Sequence, residues 1–312
     1  MNSLELTAGI VIPMFLLMVC GGLLRAFRVL PESAFSQMNR LCFTLLLPAS
    51  LLNNLMKMDG LSGLRLPFLG WLLLLQAVIV GLLYLIVPRV IRDRRSAASV
   101  IQAGFRSNFL TFGLVIAQAL CAPEQLGVVS ISAGLLIPLY NIGGILILQH
   151  GCGGKTTARQ MLLSFCKNPF VISCLLGLAL VLTKAAVPAA VKSCVSSLGG
   201  AATTVSFIAL GGCIDLARLK NIGKQVILGT ALRLVFLPAV VIGLTLLAGF
   251  RDVELLTVAV MAISPTAVAT FPMAERMGAD GPLAGYLVAA QSCCSIITMF
   301  LWILLLTGTG LL

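Results

Sequence analysis

Apolar stretches of about 20 residues recur along the whole chain, and each is long enough to cross the hydrocarbon core of a bilayer. Only 10% of the residues are charged and 59% are hydrophobic, whereas soluble domains carry about 25% charged residues. The first stretch, Leu6 to Leu24, has no basic segment before it and is followed by similar stretches, so it is not typical of a signal peptide. These features predict an all-α integral membrane protein.

The apolar stretches predict ten transmembrane spans, five in each half of the chain. A short basic and glycine-bearing loop at residues 151–160 separates a first repeat (1–150) from a second repeat (161–312). Because five spans is an odd number, the two halves enter the membrane from opposite sides, as in inverted-repeat transporters. A shift of 159 residues aligns Thr111-Phe112 with Thr270-Phe271, and a shift of 156 aligns Asp59 with Asp215. The predicted spans are Leu6 to Leu24, Ala34 to Leu55, Pro67 to Val87, Ala97 to Cys121, Leu126 to Leu148, Phe170 to Thr183, Val191 to Ile214, Val226 to Gly249, Leu255 to Met277 and Leu283 to Leu306.

The net charge is +11, and the basic residues lie at the ends of these spans. In that position they contact lipid head groups, so the charge does not indicate binding of nucleic acid. Five Lys and Arg residues fall on the side of the two termini and fourteen on the side of the central loop, with Arg106 and Arg233 inside spans. By the positive-inside rule, both termini are expected to be extracytoplasmic and the central loop cytoplasmic. We expect a multi-pass protein of the inner (plasma) membrane, in contact with membrane lipid.

The chain lacks the residue patterns of a membrane enzyme. Its ten cysteines are scattered without a CxxC pair, and the single His150 cannot complete a Cys/His metal set. No carboxylate lies deep within a predicted span, which argues against a carboxylate proton relay. We therefore expect no catalytic residues, no metal and no cofactor. A proton carried by the substrate, or a sodium ion held by carbonyls and hydroxyls, remains open as the coupling ion.

Two predicted spans carry polar or helix-breaking residues near their midpoints. The fourth contains Arg106-Ser107-Asn108, and the ninth contains Ser264-Pro265-Thr266. Pro265 removes a backbone donor and frees carbonyl groups that need a partner. In inverted-repeat transporters, matching interruptions of this kind mark the substrate site. The candidate binding residues are therefore Arg106, Asn108, Pro265 and Thr266.

For the other polar residues within spans, two interpretations remain open. Asn53-Asn54 and Gln291-Ser292 either line the substrate pocket or form hydrogen bonds between helices. Arg106 either serves the substrate or gating, or pairs with Glu275 or with free carbonyls. Arg233 is expected to extend towards the cytoplasmic face of the membrane rather than to act in the site.

Several segments resemble the auxin efflux carrier family in its bacterial form with a short central loop. They are Gly104 to Gly113, Asn168-Pro169 and the run from Pro265 to Pro282. The resemblance is strongest in Ser264 to Val268 and in Ala274 to Asp280, and the hydropathy layout matches along the whole chain. It implies two inverted five-helix repeats, forming a scaffold part and a transport part. It also implies that the fourth and ninth helices are broken and cross at the midplane, as in bile-acid symporters and NhaA-like antiporters.

The resemblance further implies transport of a small organic anion, such as malonate, malate or an auxin-like acid. The asparagine of the fourth-helix crossover corresponds to Asn108, and the ninth-helix proline to Pro265. Plant members have a proline directly before that asparagine, whereas this chain has Ser107, so the sharpness of the break depends on Gly104 and Gly113.

The expected function is secondary transport by alternating access, with a carboxylate bound by Asn108 and Thr266. The alternative is a sodium-coupled symporter of the bile-acid type, and a membrane enzyme or a channel would belong to different classes. The sequence does not determine the substrate, the direction of transport, the coupling by proton or sodium, or whether the protein forms a homodimer.

Overall fold

The computed structural model describes residues 3–58, 60, 65–153, 162–163, 165–214 and 223–312. These residues are mostly helical; they form no strands, and Ser107 and Thr266 pair in one isolated β-bridge. The helices are α1 (Ser3–Ala26), α2 (Glu32–Leu41), α3 (Leu47–Leu55), α4 (Leu66–Val90), α5 (Arg94–Phe105), α6 (Leu114–Leu120), α7 (Leu126–Cys152), α8 (Pro169–Thr183), α9 (Ala189–Cys213), α10 (Lys224–Ala231), α11 (Leu237–Leu247), α12 (Asp252–Ile263), α13 (Thr270–Arg276) and α14 (Gly281–Gly308).

Among the described residues, three short π-helices join some of these helices into longer ones. They span Cys42–Leu46, Phe109–Gly113 and Leu232–Phe236. The first and third are followed closely by Pro48 and Pro238. Because proline lacks the N–H that would bond four residues back, a wider π turn before it lets the helix continue without a sharp break. The third π-helix is important for the site, since it contains Arg233.

Six helices in the described part of the chain are long and apolar enough to cross a membrane. These are α1, α4, α7, α9, α14 and the continuous helix at residues 224–247. The other predicted spans correspond to helices that are shorter, less apolar or interrupted, and each predicted span overlaps a helix of the structure. The expectation of an all-helical membrane protein is therefore confirmed. Asp59, Asp215 and most of the 151–160 loop lie outside the described residues.

One group of helices consists of α1, α2–α3, α8 and α9, which pack against one another. Helices α1 and α9 approach so closely that a Cβ atom on Gly21 would lie 2.0 Å from the carbonyl oxygen of Ile208. Reciprocally, a Cβ on Gly211 would lie 1.9 Å from the carbonyl oxygen of Met18. Such backbone contact through small residues is typical of helix packing in membranes. It makes this group a tightly joined unit.

The second group consists of α4–α7 and α10–α14. Its ends are fastened by polar contacts, one of which joins the starts of α5 and α14. There Asp280 accepts a hydrogen bond from Ser96 Oγ at 2.7 Å, and its backbone carbonyl accepts one from Ser99 Oγ at 3.0 Å. At the starts of α4 and α12, Arg65 forms an ion pair of 3.1 Å with Glu254. These contacts fix both interrupted helices, α5–α6 and α12–α13, within one packed group.

Candidate functional site

The two interrupted helices pair with each other at their breaks. Ser107 and Thr266 form an isolated antiparallel β-bridge. Beside it, the backbone N–H of Asn108 donates to the carbonyl of Pro265 at 2.8 Å. The N–H of Ala267 donates to the carbonyl of Arg106 at 3.4 Å. We call residues 106–108 and 264–267 the crossover, and the prediction that both helices break and lie close together is confirmed.

Arg233 binds the carbonyl groups at the ends of both half-helices. Its Nε and Nη2 donate to the carbonyl of Ser264 at 3.0 and 2.7 Å, and Nη2 also donates to Met261 at 2.9 Å. Its Nη1 donates to the carbonyl of Gly104, near the end of α5, at 3.1 Å. The last carbonyls of a helix lack partners within the helix and carry partial negative charge. The guanidinium, only 1% exposed, therefore caps α5 and α12 together.

The expectation that Arg233 extends towards the cytoplasmic face is wrong. Its donors are used by carbonyls from two distant parts of the chain. A buried guanidinium loses its hydrogen bonds to water, and hydrogen bonds to several buried carbonyls replace them. We therefore regard Arg233 as the residue that holds the crossover in shape.

Arg106 lies in the crossover itself and is 9% exposed. Its Nη2 donates to Asn141 Oδ1 at 2.8 Å, and its Nη1 lies 3.0 Å from the thioether sulfur of Met273. Thioether sulfur is a weak acceptor. The suggested pairing with Glu275 is wrong, since no carboxylate of the described residues lies within ion-pair distance of Arg106. The guanidinium thus carries a positive charge beside the crossover that its protein partners do not neutralise.

Asn108 begins the helical run that continues through Phe109–Gly113 and α6. Its side chain is 4% exposed, and within the described part of the chain the side-chain amide forms no hydrogen bond. The N-terminal end of such a run carries partial positive charge. The amide and the helix end together provide neutral donors next to Arg106.

Thr266 and Gln291 have structural partners inside the protein. The N–H of Thr266 donates to Gln291 Oε1 at 3.1 Å, and its hydroxyl pairs with that of Thr270 at 3.1 Å. Gln291 Nε2 in turn donates to the carbonyl of Gly229 at 3.2 Å. Gln291 therefore links the crossover to α10. The neighbouring Ser292 hydroxyl is buried without a partner among the described residues.

The asparagine pair of α3 lies against α7. Asn54 Nδ2 donates to Ser130 Oγ at 3.2 Å, and the side chain is 1% exposed. This contact is the hydrogen bond between helices that was one of the two interpretations of the pair. Asn53 is half-buried and forms no hydrogen bond through its side chain within the described residues.

Sequence reasoning missed Gln102, which lies one helical turn before Arg106. Gln102 is fully buried, yet neither its amide nitrogen nor its amide oxygen has a partner among the described residues. A Cβ atom on Gly144 would lie 3.3 Å from both Gln102 Nε2 and Met273 Sδ, so these atoms border the same small space. Unpaired buried amides are rare. A polar residue four positions before an intramembrane arginine was the signal that could have identified it.

Comparison with known proteins decides the family. The sequence profile described as "Membrane transport protein" matches residues 8–303, almost the whole chain. The chain belongs to this family of membrane transport proteins. The transporter is therefore a member of the family indicated by its resemblance to auxin efflux carriers.

A local similarity reaches a second membrane protein. Over 140 residues the transporter is 30% identical to the UPF0324 membrane protein Atu0671 of Agrobacterium fabrum, covering 42% of this chain. The match covers 39% of that relative, so the chain spans about two fifths of its length. It supports a membrane location and carries no information on the substrate.

Proposed function

We propose that this transporter moves a small organic anion, a carboxylate such as malonate, malate or an auxin-like acid, by alternating access through the crossover. The observation that carries the proposal is Arg106, a buried guanidinium that has no carboxylate partner among the described residues. A charge in this position is costly in a membrane protein, so it requires a functional or structural partner. A substrate carboxylate supplies a stronger acceptor than the thioether of Met273 does.

The proposed site combines a charged donor with neutral donors. The carboxylate accepts hydrogen bonds from Arg106 and from the Asn108 amide, at the positive end of the helical run 109–120. Gln102 has an unpaired amide that borders the same small space as the Met273 sulfur, and it gains a partner when the anion or an accompanying water enters. Arg233 keeps its hydrogen bonds to the half-helix carbonyls throughout, so it holds the donors in position.

The membrane arrangement we propose has ten spans in two inverted five-helix repeats, with α5–α6 and α12–α13 as the broken fourth and ninth spans. The group formed by α1–α3, α8 and α9 then acts as the scaffold. The group containing the crossover moves against it and exposes the site to each side in turn. The close packing of α1 against α9, and of α3 against α8 and α9, supports treating the first group as one unit. The contacts of α1 with α14, and of α7 with α3 and α8, are then the surfaces along which the groups move.

The positive-inside count places both termini outside and the central loop in the cytoplasm. We expect a periplasmically active reporter fused after Leu312 to be active, and a cytoplasmically active reporter inserted at Gly153 to be active. The measurement is the activity of both reporter types at both positions in intact cells, normalised to expression. A cytoplasmic reporter that is active after Leu312 would contradict the orientation and the even number of spans.

A sodium-coupled symporter is the main alternative. In transporters with discontinuous helices, carbonyls at half-helix C-terminal ends coordinate the coupling sodium. Here the corresponding carbonyls of Gly104, Met261 and Ser264 already accept hydrogen bonds from Arg233. This occupancy favours a carboxylate transporter without a sodium ion at the crossover.

We therefore expect a carboxylate to stabilise the purified protein equally in sodium and in choline buffers. A carboxylate at 100 times its dissociation constant adds about 2.7 kcal/mol to the free energy of unfolding. The measurement is thermal unfolding with a panel of mono- and dicarboxylates, with the matching amides as uncharged controls. Stabilisation by the amides alone would contradict an anion site, and stabilisation that requires sodium would favour the symporter.

A further inference from the structure

A groove separate from the crossover runs along α4 and α7. A cavity of about 260 Å³ lies where the end of α4, the start of α5 and the end of α7 meet. A second cavity of about 490 Å³ continues from it between α4 and α7. The two share Tyr84, Ile147 and His150, so they form one continuous depression. We call it the α4–α7 groove.

The end of the groove near α5 is basic. Arg92 and Arg94 line it, and neither has an acidic partner within ion-pair distance among the described residues. Asp93, which lies between them, accepts a hydrogen bond from the Ser96 N–H at 2.8 Å and caps α5. This hydrogen bond lowers the pKa of Asp93 below its ordinary value. Its carboxylate is thus committed to the helix, while the two guanidinium groups remain available to an anion.

The other end of the groove is apolar and faces outward. Val80, Gly143 and Leu146 line it, and the side chain of Leu146 is 45% exposed. Tyr84 stands at the junction, with its ring 6.1 Å from that of His150. A face of this kind on a membrane-spanning protein is in contact with acyl chains. The groove therefore places Arg92 and Arg94 next to an apolar channel.

Helices α5 and α7 approach each other closely at the basic end of the groove. A Cβ atom on Gly151 would lie 2.5 Å from the Ala98 Cβ and 2.9 Å from the carbonyl oxygen of Arg94. The two helix ends are thus in direct contact, and this contact places the backbone of Arg94 beside the cavity. A preformed wall lowers the cost of ordering a ligand there.

We propose that the α4–α7 groove binds one anionic phospholipid, with the phosphate between Arg92 and Arg94 and an acyl chain along Tyr84, Ile147 and Leu146. Basic pockets between membrane helices on the cytoplasmic side are known to hold anionic head groups, and the positive-inside count places this end of α4 on that side. The apolar continuation of the groove selects a lipid over free phosphate. The inference does not depend on the identity of the transported anion.

The test is native mass spectrometry of the purified protein, with phosphatidylglycerol and phosphatidylcholine added in equal amounts. We expect one retained phosphatidylglycerol and about tenfold less retention in the double variant Arg92→Ala/Arg94→Ala. A matched control is Lys184→Ala/Lys192→Ala, which removes two cations that line a different cavity of about 480 Å³. This control should retain the lipid as the unmodified protein does.

A second variant tests the apolar part with all charges intact. Val80→Trp fills the groove from α4, where Val80 is half-buried, and should also displace the lipid. Size-exclusion elution and thermal unfolding in phosphatidylcholine confirm that each variant is folded. Equal loss in the lysine control would show a general charge effect and overturn the proposal. Retention of phosphatidylglycerol by Val80→Trp would also overturn the proposal. So would displacement of the bound lipid by inorganic phosphate alone.

Discussion

Replacing Arg233 with alanine is expected to abolish transport and to lower the free energy of unfolding by about 3 kcal/mol or more. The substitution leaves the buried carbonyls of Gly104 and Ser264 without a side-chain donor, whereas the carbonyl of Met261 keeps the hydrogen bond from Ser107 Oγ. Each unsatisfied buried acceptor costs about 1–3 kcal/mol. It also removes the positive charge that offsets the C-terminal ends of α5 and α12. The measurements are uptake into proteoliposomes and thermal unfolding of the purified variant.

Two further variants separate geometry from charge. Arg233→Lys keeps the charge, but an ammonium group has no planar fork with which to reach carbonyls from two helices. We expect it to restore part of the stability and little of the transport. Arg276→Ala is the matched control, because Arg276 is an exposed arginine at the end of α13. Its removal should change neither quantity appreciably.

Added guanidinium ion provides a rescue experiment. In Arg233→Ala, millimolar guanidinium can occupy the space vacated by the side chain and bind the same carbonyls. Transport that recovers with guanidinium, but not with tetramethylammonium, would support the role of a fixed donor. An Arg233→Ala variant that transports at the normal rate would show that the crossover does not depend on this residue.

The helix boundaries followed closely from the sequence, because a bilayer requires long apolar segments. For example, the predicted span from Pro67 to Val87 corresponds to α4 (Leu66–Val90). Pro265 and the polar triplet at residues 106–108 correctly indicated both breaks. The break at residues 106–108 is complete even though this chain has Ser107 at the position where plant members of the family have a proline. Ser107 Oγ donates to the carbonyl of Met261 at 2.7 Å, so a side-chain hydrogen bond to the other broken helix fixes the unwound chain.

The contacts around the breaks could not be predicted, because they join residues far apart in sequence. Arg233 lies in a span of its own, and nothing in that span indicates that its partners are carbonyls of α5 and α12. Gln291 was a candidate because it is polar and lies within a span, but its role as the acceptor for the Thr266 N–H depends on tertiary packing. Such roles appear only when the helices are placed together in three dimensions.

The second large effect is expected at the proposed anion site. Arg106→Ala should abolish transport, because it removes the charged donor to the carboxylate, whose hydrogen bond is worth about 1.5–3 kcal/mol. It also releases Asn141, to which Arg106 Nη2 donates, so expression of this variant must be checked. Asn108→Ala is the cleaner change, since the Asn108 amide has no partner among the described residues. It should weaken carboxylate binding about tenfold and leave the protein folded and inserted.

A matched control for Asn108→Ala is Asn54→Ala. Asn54 is a buried asparagine of equal size whose amide donates to Ser130 at a contact between helices. This variant should lose some stability but keep its affinity for the carboxylate. The pair of variants thus distinguishes a residue that contacts the ligand from one that only supports the fold.

Calorimetric titration of detergent-purified Asn108→Ala, with the carboxylate that stabilises the unmodified protein most, tests the central claim most directly. We expect a dissociation constant about tenfold higher than that of the unmodified protein, with an unchanged unfolding temperature without ligand. An unchanged dissociation constant in a folded variant would contradict binding at the crossover.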